Sequence, residues 1–314
     1  MRLIVALALA IGLLTAAPTA HADETPAATG SDTAAAARDA EVTAALKDVR
    51  SAAIKGPADI AMLSQATLKL PAGYAFVPPK EANRLMRAWG NSAGGANFIG
   101  MIFPTGSDEN WFITANFADA GYVKDTEAKN WDIDALLKNS RDNVEADNED
   151  RVARGFPKIK VDGWIEKPLY DETTHRLVYS IALSDFDAKP GDESSVNYHT
   201  FALGREGYLA LDLVTGSTVV DRYKDRARTV LAAIEYKPGK GYNDYVASTD
   251  RVAEYGIAAL IGGIAAKKLG LLALGGLAIA KFGGALVAFA KPLLAAVVAV
   301  FAGVARLFRR RPKA

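Results

Sequence analysis

The chain has 314 residues, half of them hydrophobic, with a net charge of +1 and no cysteine. That charge offers no footing for nucleic acid. The missing thiols exclude disulfides, thiolate zinc sites, a cysteine nucleophile and a lipidated-cysteine anchor.

The N-terminus reads as a removable signal peptide over residues 1–22. Arg2 is the positive n-region, residues 3–14 are the apolar h-region, and Ala20-His21-Ala22 is an A-x-A cleavage site. The apolar run is short for a membrane span, which takes about 20 residues. Residues 23–55 read as a flexible or weakly helical segment. Residues 23–40 are Ala, Thr, Pro, Gly and Ser with little periodicity, and a short helix over 41–55 is ended by Gly56-Pro57.

Residues 56–245 carry the patterns of a folded domain. Strands are expected at 60–63, 66–70 and 74–76, the last two parted by a Pro71-Ala72-Gly73 turn. Pro78-Pro79 opens a helix with Ala82, Leu85, Met86 and Trp89 at helical spacing and Gly90 as its stop. Strands 98–103 and 111–117 pair around a turn at 104–110. Asp132 caps a helix running to Ala153, with Ile133, Leu136, Leu137, Ser140 and Val144 as its inner stripe. Asp147–Arg151 and Asp150–Arg154 are favourable i,i+4 pairs on its charged half, and Gly155 suits its C-terminal end. Four strands follow at 158–165, 175–183, 196–203 and 208–214. A last helix over 218–233 places Val220, Tyr223, Ala227, Val230, Leu231 and Ile234 on one face. Without βαβ alternation the fold class is α+β, an antiparallel sheet with helices packed on it.

Residues 246–314 read as a membrane-anchoring helical tail. The stretch from Tyr255 to Phe308 is Ala, Leu, Val, Ile, Gly and Phe, broken by Lys267, Lys268, Lys281, Lys291 and Arg306 and closed by Arg309, Arg310 and Arg311. A span fits at about 269–290 or about 283–305. The second is preferred, because Arg306 and residues 309–311 then lie at its cytoplasmic end. Each span holds one central Lys, at about 3 kcal/mol on insertion scales unless it snorkels. An exported start and a cytoplasmic end require one or three crossings. The expected location is the bacterial inner membrane, with the main domain in the periplasm and lipid as a partner. Gly262, Ala266 and Gly270, and again Gly276, Ala280 and Gly284, are spaced for close helix contact and a homo-oligomer.

Several phrases carry a resemblance. They are Trp111-Phe112, Gly121-Tyr122-Val123, Asn148-Glu149-Asp150-Arg151 leading to Gly155, the run from Gly163 and Trp164 through Pro168 to Asp171, Asn197-Tyr198, Leu203-Gly204-Arg205 and Ala253-Glu254-Tyr255-Gly256. Together, in this order, they resemble the bacterial membrane-anchored family catalogued as domain of unknown function 2167, from about residue 56 to the end. The resemblance implies an exported domain with a C-terminal membrane segment. It implies no activity and transfers no catalytic residue. The order of elements is also similar to the PsbP and Mog1 type of α+β sandwich, at the level of fold alone.

No catalytic residue, metal or cofactor is assigned. After cleavage the remaining histidines are His175 and His199, on two predicted strands joined by the loop 184–195. Facing each other across that hairpin, and joined by Asp171 or Glu172, they would form a metal-ligating set, but no third ligand stands at a fixed spacing. Glu145, Glu149 and Asp150 read as a solvated helix face. The Gly-x-Ser-x-Gly stretch at residues 90–94 follows a predicted helix and not a strand, so it makes no nucleophile elbow, and there is no Gly-x-Gly-x-x-Gly after a strand and no Walker loop. The preferred functional surface is Trp164, Glu166, Tyr170 and Asp171, aromatics beside charges at a strand-to-loop transition, which suits recognition. The competing reading makes Trp164 and Tyr170 core residues.

The leading function is a noncatalytic, membrane-tethered periplasmic module that binds a protein or an envelope component. One alternative is an envelope hydrolase using the 166–171 region or His175 and His199. Another is an oligomer or pore built by the tail, with Lys267, Lys281 and Lys291 toward one lumen.

Overall fold

A computed structural model of the chain describes residues 30–261, apart from 90, 92–93, 107, 154–156 and 190. The expected signal peptide, the apolar stretch beyond residue 261 and the helix ends expected at Gly90 and Gly155 lie outside the described residues. The chain divides into two units, Met1–Asp39 and Ala40–Ala314. Helix α1 (Gly30–Ala52) starts in the first unit. Its opening is helical well ahead of the start expected at Glu41, because alanine is the strongest helix former.

The second unit holds two antiparallel sheets. Among the described residues, eight strands form the large one, in the order β1 (Ile54–Lys55), β4 (Tyr74–Val77), β5 (Phe98–Pro104), β6 (Phe112–Ala118), β10 (Tyr208–Gly216), β9 (Ser195–Leu203), β8 (Arg176–Asp185) and β7 (Ile159–Asp171). The small one is β11 (Ile234–Tyr236), β3 (Ala66–Leu70) and β2 (Ala58–Met62). The α+β reading holds, but with a second sheet. Ile234 continues the apolar face of helix α4 (Val220–Ala232) in sequence, yet the helix ends at Ala232 and Ile234 pairs with Leu68.

Alternation along the strands sends successive side chains to opposite faces. On one face Ile113, Leu211 and Leu213 meet Met62, Leu68 and Leu70 of the small sheet and Tyr223, Ala227, Val230 and Leu231 of α4. The other face carries two separate apolar clusters. Over β4 to β6, Val42, Ala45 and Val49 of α1 and Leu85 and Met86 of helix α2 (Pro79–Ala88) cover Met101 and Phe112. Over β7 to β9, Leu136 and Val144 of helix α3 (Ile133–Ala153) and Ile257, Leu260 and Ile261 cover Ile159, Leu177 and Tyr179.

The inner stripe of α3 turns polar toward its end. Asn148 donates its amide to Ile159 O and accepts from Ile159 N, both at 2.9 Å, so its side chain stands in for a neighbouring strand where β7 begins. Arg151 was expected in a surface pair, but it is buried, and its Nε donates to Pro157 O at 3.2 Å.

The folded core also continues past 245. Tyr122 N donates to Arg251 O at 2.8 Å, Ala253 N to Tyr122 O at 2.9 Å and Ile257 N to Lys124 O at 3.0 Å. Ala258 N donates to Glu127 Oε1 at 2.8 Å, and Tyr179 Oη to Leu260 O at 3.0 Å. Gly121 is required where this strap crosses: its φ is +85°, and a Cβ there would stand 2.6 Å from Arg251 O. Ile257, Leu260 and Ile261 are buried. Among the described residues no helix is long and apolar enough to cross a membrane.

Candidate binding site

β7 stays a strand to Asp171, well beyond the end expected at Ile165, and it bends through three register shifts. Trp164 pairs with Ile181 and Glu166 with Ser180, so Ile165 is an extra residue, a bulge. The bulge sends Trp164 and Glu166 to opposite faces. Trp164 packs edge-on to Tyr179 at 6.0 Å, half-buried on the face that α3 covers. Glu166 points to α4, where it accepts from Tyr198 Oη at 3.1 Å and from the Arg228 guanidinium. A second shift returns Tyr170, paired with Leu177, to the face of Trp164. Its hydroxyl donates to Asp125 Oδ2 at 2.7 Å, and burial, reinforced by that hydrogen bond, pushes its pKa well up. Asp171 closes the β7–β8 turn by accepting from Thr174 Oγ1 at 2.7 Å and Thr173 N at 2.8 Å, which holds its carboxyl below the usual range. The four residues therefore divide between two faces and a turn.

The two histidines do not meet. His175 sits in the turn before β8 at φ +52°, its carbonyl accepting from Leu203 N, while His199 lies across from Tyr179. Each has a carboxylate of its own. His175 Nδ1 is 3.4 Å from Asp125 Oδ2 and 3.1 Å from Tyr170 Oη, and His199 Nδ1 is 2.6 Å from Asp212 Oδ1. Glu172 pairs with Lys129 at 3.3 Å. Among the described residues no three His, Asp or Glu side chains converge.

The second pair lies in a polar seam between the two apolar clusters. Thr114, Asp212, His199 and Tyr179 face one another in register across β6, β10, β9 and β8, so all four side chains share the face that carries α2 and α3. Asn116, Ala210, Phe201 and Leu177 form the row on one side. Phe112, Val214, Asn197, Ile181 and Trp164 form the row on the other. Thr114 and Asn116 are only 1% and 8% exposed, and neither Thr114 Oγ1 nor Asn116 Oδ1 has a hydrogen-bond partner. Trp164 Nε1, and Ser195 Oγ further along this face of β9, are buried and unpartnered as well. The side chains of His199 and Asp212 keep 14% and 19% exposure.

Each such buried, unsatisfied group costs about 1–3 kcal/mol. The seam thus concentrates unmet hydrogen bonding where folding alone would favour apolar residues. It presents an acceptor at Asn116, a hydroxyl at Thr114, a donor at Trp164 and an imidazole whose Nδ1 side is held by Asp212. Of these, Trp164 and His199 stood out in the sequence. Thr114 and Asn116 did not, because polar residues alternating with Ile113, Ala115 and Phe117 read as the solvent side of a strand. In the structure β6 is buried on both faces.

The fold is similar to the solution structure of cyanobacterial PsbP (CyanoP) from Synechocystis sp. PCC 6803, at 10% identity and a TM-score of 0.33, over 55% of this chain and 86% of that one. No curated protein matches the chain. The family model described as Protein of unknown function (DUF2167) matches residues 54–291, which runs from β1 past the strap and takes in the phrases at Gly121, Asn148, Trp164 and Asn197. The chain belongs to that family of proteins of unknown function.

Proposed function

We propose that this chain is a noncatalytic binding module, exported and held at the inner membrane by its apolar C-terminal stretch, and that its ligand occupies the polar seam. The observation that carries the reading is the pair of unpartnered, nine-tenths buried groups, Thr114 Oγ1 and Asn116 Oδ1, beside the His199–Asp212 pair. The acids of the alternative hydrolase are each engaged elsewhere: Glu166 by Arg228 and Tyr198, and Asp171 in its turn.

A group kept for a ligand is a burden on the empty fold. Thr114→Val keeps the shape and removes the unmet hydroxyl, so it should raise stability by about 1 kcal/mol. A urea melt checks this, and a loss of stability would show that the hydroxyl serves the fold. The location has a test of its own. Protease added to spheroplasts should digest residues 56–261 and spare the arginines at 309–311, and a protected domain would reverse the orientation.

A further inference from the structure

Building on the reading of the apolar C-terminal stretch as a membrane anchor, we infer that one half of the β7 edge, from Gly163 to Leu169, lies against the bilayer surface. Its partner is lipid, the headgroups and the first carbons of the acyl chains. Position, exposure and charge each carry part of the argument.

Position comes from the strap. Leu260 is tied by its carbonyl to Tyr179 Oη at 3.0 Å, and Ile261 is buried in the same cluster. Tyr179 stands on β8, one strand spacing, about 5 Å, from the edge at β7 and six spacings, about 29 Å, from the edge at β1. Residues 262–266 are Gly, Gly, Ile, Ala and Ala, and the earlier of the two candidate spans begins at about residue 269. Eight residues of chain reach at most about 29 Å. Residues 269–282 carry one charge, Lys281, and so favour lipid whichever span crosses. An anchor on so short a lead holds the β7 side of the domain to the bilayer.

Exposure selects the part of that side. Along the first half of β7, Asn148 of α3 completes the ladder at Ile159, and Arg141 Nη2 donates to Asp162 O at 3.2 Å. Beyond Asp162 large apolar side chains stand open instead. Ile165 is 39% exposed, and Leu169, at 60%, is the most exposed large apolar side chain among the described residues. Such a pair marks a contact surface. A further strand would be a poor cover, because Ile165 is an extra residue, the register shifts again before Leu169, and Pro168 has no N–H to offer. Lipid needs no register.

Charge agrees. Lys167, between the two apolar residues, is exposed and pairs with no acid among the described residues. Glu166 is turned to α4 and held by Arg228 and Tyr198. The stretch therefore offers a lysine to anionic headgroups and no open carboxylate. Trp164, half-buried beside Ile165, suits the boundary between water and lipid.

The chain has no cysteine, so a single introduced one carries a label alone. Full-length Leu169→Cys, labelled with a nitrobenzoxadiazole dye, is reconstituted in vesicles of phosphatidylcholine and phosphatidylglycerol in equal parts, with and without doxyl-labelled phosphatidylcholine as quencher. Ala61→Cys, at an exposed position of β2 in the small sheet, is the reference. The label at 169 should lose more than half its emission to the doxyl lipid, and the label at 61 almost none. Adding Ile165→Asp to Leu169→Cys should cut the quenching at least twofold while the chain still floats with the vesicles. Equal quenching at the two positions would overturn the inference. So would quenching indifferent to Ile165→Asp, which would mean that the dye enters lipid by itself. A chain that does not float overturns the anchor and this inference with it, whereas a floating chain with both labels in water overturns this inference alone.

Discussion

Asp250 gathers more hydrogen bonds than any sequence pattern assigns it. Its carboxylate accepts from Arg205 Nε at 2.7 Å, Arg205 Nη2 at 2.8 Å and Val246 N at 2.7 Å. The arginine, then the backbone N–H, holds its pKa well below the ordinary aspartate range. A carboxyl depressed on folding contributes its full stabilisation above its unfolded pKa, about 3.9, and loses it as pH falls through the lower folded value. Asp250→Asn should therefore lower stability at pH 7 and flatten the acid limb of the stability curve below about pH 4. Urea melts between pH 2 and 7 check this, and an acid limb parallel to that of the parent would contradict it. Leu203-Gly204-Arg205 was visible as a phrase, but its partner lay 45 residues away with no pattern to join them. The same holds for Asn148, whose amide completes a strand ladder that only the folded chain brings near.

β7 teaches the same lesson for elements. Its alternation breaks at Ile165, where sequence reading ends the strand, yet the pairing with β8 resumes on the far side. Bulges hide strands from period-2 patterns because each one inverts the alternation. Regular elements were legible: α2, α4 and strands β8 to β10 follow their apolar spacing closely. β11 was not, since three residues after a helix carry no period of their own. The bulges also have work at this position. β7 is an edge of the large sheet, with Ile165 and Leu169 exposed, and a straight edge strand invites pairing with another chain. Deleting Ile165 should leave both flanks in register, because Trp164 and Glu166 already face adjacent residues of β8. The deletion should fold, and its straighter edge should self-associate. Sedimentation of the strap-containing domain, residues 23–261, checks the second outcome, and an unchanged monomer would contradict it.

At the scale of the whole chain, the α+β class was legible and the reach of its core past residue 245 was not. The apolar stretch starting at Tyr255 reads as one tail, because composition alone cannot separate residues that fill a core from those suited to lipid. Within that stretch Ile257, Leu260 and Ile261 belong to the cluster under α3. Burying three such side chains contributes roughly 5–9 kcal/mol in sum, comparable to the entire stability of many domains. Residues 23–261 should therefore melt cooperatively, while residues 23–251 should be unfolded or aggregate. Circular dichroism melts of the two compare them directly, and equal midpoints would return the strap to the tail. The strap also decides how tension would enter the domain. A pull passed into Ile261 loads the contacts of 252–261 one after another, as a zipper is opened from its end, and the sheet is spared until they are gone. Among the described residues, the bond to the sheet nearest the pull joins Leu260 O to Tyr179, whose ring lies against His199 in the seam. Under force, then, the seam loses the anchor of its central ring before the domain loses its fold.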